Sequence, residues 1–229
     1  MTPPTLTSTE QPQSVNSSRV CYEKLGWRNL EKMAEQRKTD ALIAILKTKL
    51  SASDSVLDVG CGYGRITLPL VQTGYTVEGI DITPSFVEEA SKRAGSMNLP
   101  ATFRIGDMTA PPYDDNAFGS VICVWSSFAC LLTDDLQKKA LSEMVRIIRH
   151  GGLVFIENRN GEEKEVMEKL EKGSPNIIID IDYGVPETSF LHTRNSFGAL
   201  CSSLNHIQDY TVSFMDIGGQ RRLIMEIRK

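Results

Sequence analysis

Three glycines follow a short apolar segment and give the strongest chemical signal in the sequence. Gly60, Gly62 and Gly64 come directly after residues 56–59, a predicted buried strand, and a helix is predicted over residues 65–72. Glycines between a strand and a helix permit a tight turn and let a ligand approach the backbone closely. The free N–H groups at the start of the helix would then face that ligand. The segment is therefore predicted to be a ligand-binding loop.

The charge beside this loop indicates which kind of ligand it binds. Dinucleotide-binding folds place a pyrophosphate on a G-x-G-x-x-G turn, but here the slot of the last glycine holds Arg65. Asp58 also precedes the loop. A carboxylate is repelled by two phosphates, whereas it attracts a cationic amino group. The ligand should therefore carry a positive charge near Asp58.

Two further acids follow predicted strands. Asp81 ends the strand predicted over residues 75–81, where an acid can accept hydrogen bonds from a ribose diol. Asp107 follows the strand predicted over residues 101–105, and with Met108 it could contact the exocyclic amine and the faces of a purine. A ligand that combines an ammonium group, a ribose and an adenine is S-adenosylmethionine.

Together these signals resemble the class I S-adenosylmethionine-dependent methyltransferases. The resemblance covers about residues 55–158 and rests on residues 58–64, Asp81, residues 106–108 and residues 146–153. It implies a seven-stranded sheet whose last strand is antiparallel, and methyl transfer from S-adenosylmethionine. The residues to which it assigns cofactor contacts are Asp58, Gly60, Cys61, Gly62, Gly64, Asp81, Ile82, Asp107, Met108, Val124 and Trp125.

Two departures refine this resemblance. Many relatives carry Phe-Asp at the start of the fourth strand, whereas this chain has Phe118-Gly119. That acid is usually structural, so the cofactor assignment is little affected. Residues 124–128, Val-Trp-Ser-Ser-Phe, lack the Asn-Pro-Pro-Tyr type of signature that accompanies nucleic-acid or glutamine-amide targets. The resemblance thus favours a small-molecule acceptor, methylated at nitrogen or oxygen by in-line displacement.

Composition excludes several other classes of function. The 229 residues carry a formal charge of 25 − 29 = −4, which provides no field to attract nucleic acids or an anionic membrane. The best candidate for a membrane span, residues 121–132, is interrupted by Ser126 and Ser127 and is shorter than the roughly 20 residues that span a bilayer, and no secretory signal is visible. The five cysteines form no C-x-x-C pair, which disfavours a disulfide framework or a metal site. We predict a cytoplasmic monomer or homodimer without a metal.

The remaining pattern predicts a doubly wound α/β fold with a mostly parallel sheet, because strands alternate with helices. Further strands are predicted over residues 118–124, 153–157, 207–215 and 221–228, with a hairpin turn at Gly218-Gly219. Further helices are predicted over residues 84–94, 134–149, 162–172 and 196–204, and an extra strand pair over residues 177–182 and 189–193.

The chain is predicted to contain one domain, residues 19–229, after a flexible tail, residues 1–18. The tail is rich in Ser, Thr, Pro and Gln, so it offers little apolar surface to offset the entropy of ordering. Within the domain, residues 19–50 form an N-terminal helical cap and residues 160–195 form a lid insertion. Both segments could cover a ligand and exclude water.

Residues near the strand ends and in the cap and lid are the candidates for acceptor binding and catalysis, since open α/β sheets bind ligands at the carboxyl ends of their strands. The substrate candidates are Tyr22, Trp27, Ser127, Asn158 and Arg194. The catalytic group is unknown, with Glu157 and His192 as candidates. Simpler interpretations stay open: His192 could be a packing residue, Glu157 a buried paired carboxylate, and Arg194 a partner of lid acids.

Two other functions are also open. A non-catalytic S-adenosylmethionine-binding regulatory or partner subunit is possible because no catalytic base is evident. A nicotinamide-dependent oxidoreductase is disfavoured by Arg65 and by the antiparallel terminal strands.

Overall fold

The computed structural model of the protein describes residues 13–170 and 176–229. In these ranges the helices are α1 Gln13–Leu25, α2 Trp27–Met33, α3 Gln36–Lys49, α4 Thr67–Gln72, α5 Pro84–Ser96, α6 Asp134–Ile147, α7 Lys164–Met167 and α8 Arg194–Ser202. The strands are β1 Ser55–Val59, β2 Thr76–Asp81, β3 Thr102–Ile105, β4 Phe118–Cys123, β5 Ile148–Asn158, β6 Ile177–Asp182, β7 Val185–Phe190, β8 Asp209–Ile217 and β9 Gln220–Arg228. A short 3-10 helix, Ser127–Cys130, follows β4.

Seven strands form one sheet in the order β3-β2-β1-β4-β5-β9-β8. Strands β1 to β5 are parallel, whereas β9 runs antiparallel to both β5 and β8. This confirms the predicted α/β fold with a mostly parallel seven-stranded sheet and an antiparallel last strand. The two-residue loop Gly218-Gly219 joins Ile217 to Gln220 with φ of 59° and 81°, the backbone of a tight hairpin turn.

The sheet separates two apolar clusters. Alternating residues of one strand contribute to opposite faces, so that Val56 packs with Leu46 and Leu70, while Leu57 packs with the cluster of Met144. Every residue of the central strand β4 is buried. The core therefore holds the carboxyl ends of β1, β4 and β5 in fixed relative positions.

Gly119 occupies a position where a side chain would collide with neighbours. A Cβ there would lie 2.5 Å from Asp54 Cβ and 2.8 Å from Arg149 Nη1. Asp54 and Arg149 form an ion pair across this site, with 2.7 Å between Asp54 Oδ1 and Arg149 Nη2. The Asp54–Arg149 pair thus fills the space that a side chain at position 119 would enter.

The insertion differs in detail from the prediction. Instead of a helix over residues 162–172, the structure has only the four-residue α7, which buries no side chain, and residues 171–175 lie outside the described residues. A charged helix without a buried face gains little from packing, which explains its short length. The extra strand pair is present, but its second strand, β7, begins earlier than predicted. Tyr183-Gly184, with φ of 50° and 77°, forms a two-residue turn there.

Several boundaries elsewhere also shift by a few residues; strand β8, for example, spans Asp209–Ile217 instead of 207–215. Helix α8 begins at Arg194 rather than at 196 because Thr193 and Ser196 form a reciprocal capping box. Strand β5 begins at Ile148 rather than 153, and α6 ends accordingly at Ile147.

Helix α1 includes residues 13–18, the last part of the predicted tail, while residues 1–12 lie outside the described residues. Tertiary contacts explain why this polar sequence is helical. Tyr22 Oη donates a hydrogen bond to Glu187 of β7, and Leu25 is 2% exposed. Together with α2 and α3, α1 makes the described part of residues 19–50 largely helical.

Candidate active site

A cavity of about 200 Å³ opens at the carboxyl ends of β1, β2 and β4 and is covered by α1, α2 and the β6–β7 hairpin. Twelve of the residues predicted as site residues line it: Tyr22, Asp58, Gly60, Cys61, Gly62, Asp81, Ile82, Asp107, Met108, Val124, Trp125 and Ser127. The glycine loop, the cap and the lid therefore share one space.

The glycine loop is held against β2. The backbone N–H groups of Gly60 and Cys61 donate to the Ile80 carbonyl, at 2.8 and 3.0 Å. Gly60 has a φ of 73°, and a Cβ there would lie 2.6 Å from Ser127 Cβ. This position requires glycine for both backbone and packing reasons. Gly64, also predicted as a ligand contact, does not line the cavity; a Cβ there would meet Leu68 at 3.0 Å.

Asp81 is fixed by two backbone donors. Its Oδ2 accepts from Gly62 N at 2.9 Å and its Oδ1 accepts from Thr83 N at 2.8 Å. Burial raises the pKa of the carboxyl group, and these backbone hydrogen bonds oppose that rise. Each oxygen keeps a further lone pair, so the carboxylate can accept two more hydrogen bonds from a ligand in the cavity.

Asp58 carries a polar atom without a partner. Its Oδ2 accepts from Thr67 Oγ1 at 2.6 Å, while Oδ1 is buried and has no hydrogen bond to any described residue. The residue is 1% exposed, and this burial raises its pKa to about 6. A buried carboxylate oxygen without a donor is costly, so it should gain from a cationic donor in the cavity.

Arg65 lies on the same wall with the opposite charge. Its guanidinium stacks over Trp125 at 4.1 Å from the ring centroid, and its Nη1 donates to Thr39 Oγ1 at 2.7 Å. Burial lowers its pKa, and it forms no ion pair with an acid in the described part of the chain. The wall therefore presents one carboxylate and one guanidinium, and neither forms an ion pair within the described ranges.

Asp107 lies two residues after the end of β3 and lines the same cavity. Its Oδ1 accepts from both Thr109 N and Thr109 Oγ1, at 2.8 and 2.9 Å, and the residue is 6% exposed. Met108 and Ile82 line the cavity beside it and provide the apolar surface expected around a purine.

The turn after β4 has an unusual backbone. Trp125 and Ser126 have φ of 56° and 65°, a left-handed conformation that is unfavourable for non-glycine residues. Trp125 N donates to Glu157 Oε2 at 2.5 Å, and Arg222 Nη2 donates to Ser126 Oγ at 2.8 Å. Arg222 also forms a buried ion pair with Glu157. This network stabilises the turn that places Trp125 in the cavity wall.

Six predicted site residues do not line the cavity: Trp27, Gly64, Glu157, Asn158, His192 and Arg194. Glu157 is 3% exposed and engaged by Arg222, which matches its simpler interpretation as a paired carboxylate. Arg194 pairs at the surface with Glu162, with 3.0 Å between Arg194 Nη2 and Glu162 Oε2. Trp27 lies under the guanidinium groups of Arg28 and Arg93. Asn158 is buried beside the site, and its amide has no partner among the described residues.

His192 lies among aromatic rings. It is 1% exposed, and its ring centroid is 4.4 Å from that of Phe197 and 4.7 Å from that of Phe190. Burial lowers its pKa to about 3. It is therefore neutral at physiological pH and packs as part of the core beneath the lid.

This burial predicts a pH-dependent stability. The unfolded chain protonates His192 near pH 6.5, whereas the folded chain does so only near pH 3, so protons favour the unfolded state between these values. We expect His192 to lower the free energy of unfolding by about 1.4 kcal/mol for each pH unit from 6.5 downward. Urea unfolding of wild type and His192→Phe at pH 7 and pH 5 measures this. The difference in the free energy of unfolding between pH 7 and pH 5 should be smaller in His192→Phe than in wild type, and unchanged in the exposed control His206→Gln. The same difference in all three proteins would contradict the prediction.

The cavity also contains residues that the sequence analysis did not select. They include Tyr63, Arg65, Phe86, Cys130, Asp182, Glu187 and Arg222. Arg159, next to the strand-end candidates Glu157 and Asn158, lines the cavity as well. Arg159 donates to Asp180 Oδ2 at 2.6 Å, and Tyr22 Oη donates to Glu187 Oε1 at 2.6 Å. The alternation of acids and isoleucines in β6 was the available signal, because it places Asp180 and Asp182 on one face of a strand.

Known proteins that resemble this chain include methyltransferases. A family described as a methyltransferase domain matches residues 56–152. The malonyl-[acyl-carrier protein] O-methyltransferase of Salmonella typhimurium is 32% identical over 120 residues, which cover 52% of this chain and 44% of that enzyme. The chain thus aligns with less than half of the length of the curated relatives that it first matches.

Solved structures share the fold. A S-adenosylmethionine-dependent methyltransferase from Methanosarcina mazei superimposes with a TM-score of 0.69 at 20% identity, over 81% of this chain and 96% of that one. The magnesium protoporphyrin IX methyltransferase of Synechocystis PCC 6803, solved with bound S-adenosylmethionine, gives 0.66 at 15% identity, over 97% and 100%.

The described residues contain no group of three or more His, Cys, Asp and Glu side chains that could hold a metal ion. Within the same ranges, no helix has the length and apolar character needed to cross a membrane.

Proposed function

We propose that this chain, whose residues 56–152 match a methyltransferase domain family, is an enzyme that transfers a methyl group from S-adenosylmethionine to nitrogen or oxygen of a small molecule. The observation that carries this proposal is the unpartnered, buried Oδ1 of Asp58, in one cavity with the glycine loop and Asp81. Bound S-adenosylmethionine would supply an electrophilic methyl group.

The residues present fit this cofactor. Asp58 offers an acceptor for the amino group, and Gly60 and Gly62 allow close approach to the backbone. Asp81 has free lone pairs for a ribose diol, and Asp107 lies beside apolar surface suited to adenine. We propose further contacts by the other lining residues predicted above: Cys61, Ile82, Met108, Val124 and Trp125.

The protein's contribution to the reaction is positioning and exclusion of water, since the methyl donor needs no further activation. Trp125 is fixed by the Glu157–Arg222 network and forms a rigid wall. Tyr22 and the β6–β7 hairpin cover the cavity on the other side. We propose Tyr22 and Ser127 as acceptor-side residues. We assign no direct contact with the acceptor to Trp27, Asn158 and Arg194, because they do not line the cavity.

Arg65 extends the cofactor assignment. An amino-acid tail carries an ammonium and a carboxylate on one carbon, and Asp58 and Arg65 present the complementary charges on one wall. We expect Arg65→Gln to weaken binding of S-adenosylhomocysteine about tenfold, the effect of one charge-assisted hydrogen bond. Binding of 5′-methylthioadenosine, which lacks the amino-acid tail, should change less than twofold. Calorimetric titration with both nucleosides measures the difference. Equal weakening of both would contradict this role.

The proposed activity itself has a direct test. Purified protein is incubated with S-adenosylmethionine and fractionated metabolite extracts, and release of S-adenosylhomocysteine is measured. S-adenosylhomocysteine should raise the melting temperature while NAD does not, because a ligand that binds the native state stabilises it. Binding without turnover on any fraction would favour the non-catalytic subunit. Stabilisation by NAD alone would favour the oxidoreductase.

We further propose that the enzyme works in the reducing cytoplasm, with a small-molecule acceptor and no nucleic-acid partner. The five free cysteines support a reducing compartment, and three of them are buried. The negative net charge supports the absence of a nucleic-acid partner. A monomer or homodimer stays our prediction for the oligomeric state.

A further inference from the structure

The β6–β7 hairpin contributes carboxylates with two different environments. Asp180 is neutralised by Arg159 and Lys169, at 2.6 and 2.7 Å. Asp182 and Glu187 both line the cavity, and neither forms an ion pair with any residue in the described ranges. The acceptor side of the cavity therefore carries negative charge that no cation of the protein contacts.

Glu187 is the more enclosed of these two acids. It accepts a hydrogen bond from Tyr22 Oη at 2.6 Å, and Tyr22 Oη also lies 3.5 Å from Cys130 Sγ. Burial raises its pKa, the Tyr22 hydrogen bond lowers it, and the nearby charge of Asp182 raises it again. Arg159 is the cation that opposes this rise, but its guanidinium contacts Asp180 instead. The carboxylate is thus held in place while lacking a cationic partner.

The cavity wall around these acids is aromatic. Tyr22 packs edge-to-face against Phe86, with 6.2 Å between ring centroids, and Trp125 also lines the cavity. The unpartnered, buried Asp58 Oδ1 independently marks the same cavity as a ligand site. Aromatic faces and desolvated carboxylates together favour a cation over a neutral or anionic group.

We infer that the methyl acceptor is an amine, which Glu187 and Asp182 bind as an ammonium ion and which Glu187 deprotonates. This inference rests on the proposed methyltransferase function and specifies its acceptor. An alcohol or a carboxylate acceptor would leave the two acids without a counter-charge, and a carboxylate acceptor would also be repelled by them. The site therefore selects the acceptor by charge as well as by shape.

Glu187 accepts one proton from the acceptor before the nitrogen is methylated. One N–H proton of the ammonium moves to the Glu187 carboxylate, which frees the nitrogen lone pair. The lone pair forms the new N–C bond as the S–C bond of the donor breaks and its electron pair stays on sulfur. The products are a methylated ammonium ion and a thioether, and Glu187 then releases its proton to water. A carboxylate with a raised pKa suits this role because it accepts a proton more readily near neutral pH.

Matched pairs of compounds test the inference by binding. Benzylamine, tryptamine and putrescine are titrated into the protein saturated with S-adenosylhomocysteine, each beside its hydroxyl analogue: benzyl alcohol, tryptophol and 1,4-butanediol. At pH 7 the amines are protonated. We expect at least one amine to bind at least tenfold more tightly than its analogue. In Glu187→Gln and in Asp182→Asn that preference should fall to threefold or less.

Controls separate charge recognition from folding and from cofactor binding. Glu165→Gln removes an exposed acid of the same insertion and should leave the preference unchanged. The affinity for S-adenosylhomocysteine should stay within twofold in all variants. Turnover of the preferred amine should fall at least about 100-fold in Glu187→Gln, the usual contribution of a general base, with partial recovery in Glu187→Asp.

The inference is overturned if no amine binds better than its hydroxyl partner, or if the preference persists in both variants. Failure of the proposed function looks different, because wild-type protein would then either not bind S-adenosylhomocysteine or bind it and methylate no acceptor, whatever its preference between amines and alcohols. Asp182→Asn keeps the test decisive if Glu187→Gln does not fold.

Discussion

Replacing Asp81 with alanine is expected to weaken binding of S-adenosylhomocysteine about 100-fold or more. The proposed ribose contact supplies two hydrogen bonds to a charged acceptor, each worth about 1.5–3 kcal/mol, and about 1.4 kcal/mol corresponds to a factor of ten. The substitution also releases the backbone N–H groups of Gly62 and Thr83, which the carboxylate now orders. Isothermal titration calorimetry measures the loss directly.

The matched control for this experiment is Asp114→Ala, which removes an exposed acid that does not line the cavity. The affinity of Asp114→Ala for S-adenosylhomocysteine should equal that of wild type. Urea unfolding of Asp81→Ala verifies that the folded state persists at the titration temperature. An affinity within threefold of wild type would show that Asp81 does not contact the ligand, and the assignment of the glycine loop as a nucleoside site would then be wrong.

The second large effect concerns stability. Glu157→Ala is expected to lower the free energy of unfolding by about 3–5 kcal/mol, because it leaves the Arg222 guanidinium buried without its counter-charge. Arg222 is 8% exposed and Glu157 3%. The substitution also removes the acceptor of Trp125 N, which the left-handed turn after β4 requires. Equilibrium urea unfolding gives the free-energy difference.

A double replacement identifies the cause. Glu157→Met with Arg222→Met removes both charges, and we expect it to be less destabilising than either single substitution, since no charge is left unpaired. The control is Glu162→Ala, which breaks the exposed pair with Arg194 and should lower the free energy of unfolding far less than Glu157→Ala does. If Glu157→Ala matched this control, the buried pair would contribute nothing beyond a surface pair.

The residues proposed to hold the cofactor could be brought together from sequence because they lie at strand ends. Gly60 and Asp107 follow a parallel strand within two residues, Asp81 is the last residue of another, and parallel strands bring their carboxyl ends to one edge of the sheet. Local sequence therefore determines most of this geometry. The confirmed strand order and the antiparallel β9 follow from the same alternation of strands and helices.

The acceptor half could not be predicted in this way. Glu187 reaches the cavity only because the Tyr183-Gly184 turn sets the pairing of β6 with β7 and because α1 packs against β7. Arg222 pairs with Glu157, 65 positions earlier, through the neighbouring strands β5 and β9. Neither contact leaves a periodic signal in the sequence. His192 was a catalytic candidate because of its residue type, but residue type does not indicate whether the fold buries a side chain.

The cavity's two halves are built by separate parts of the chain. Donor-side residues sit on the loops of the central sheet, whereas Tyr22, Asp182 and Glu187 belong to α1 and to a small sheet of their own. Adding or removing one residue in the Tyr183-Gly184 turn, with β6 held in place, would exchange which side chains of β7 face inward. Insertions or deletions in this one hairpin would thus change the wall of the cavity while the loops of the central sheet stay in place.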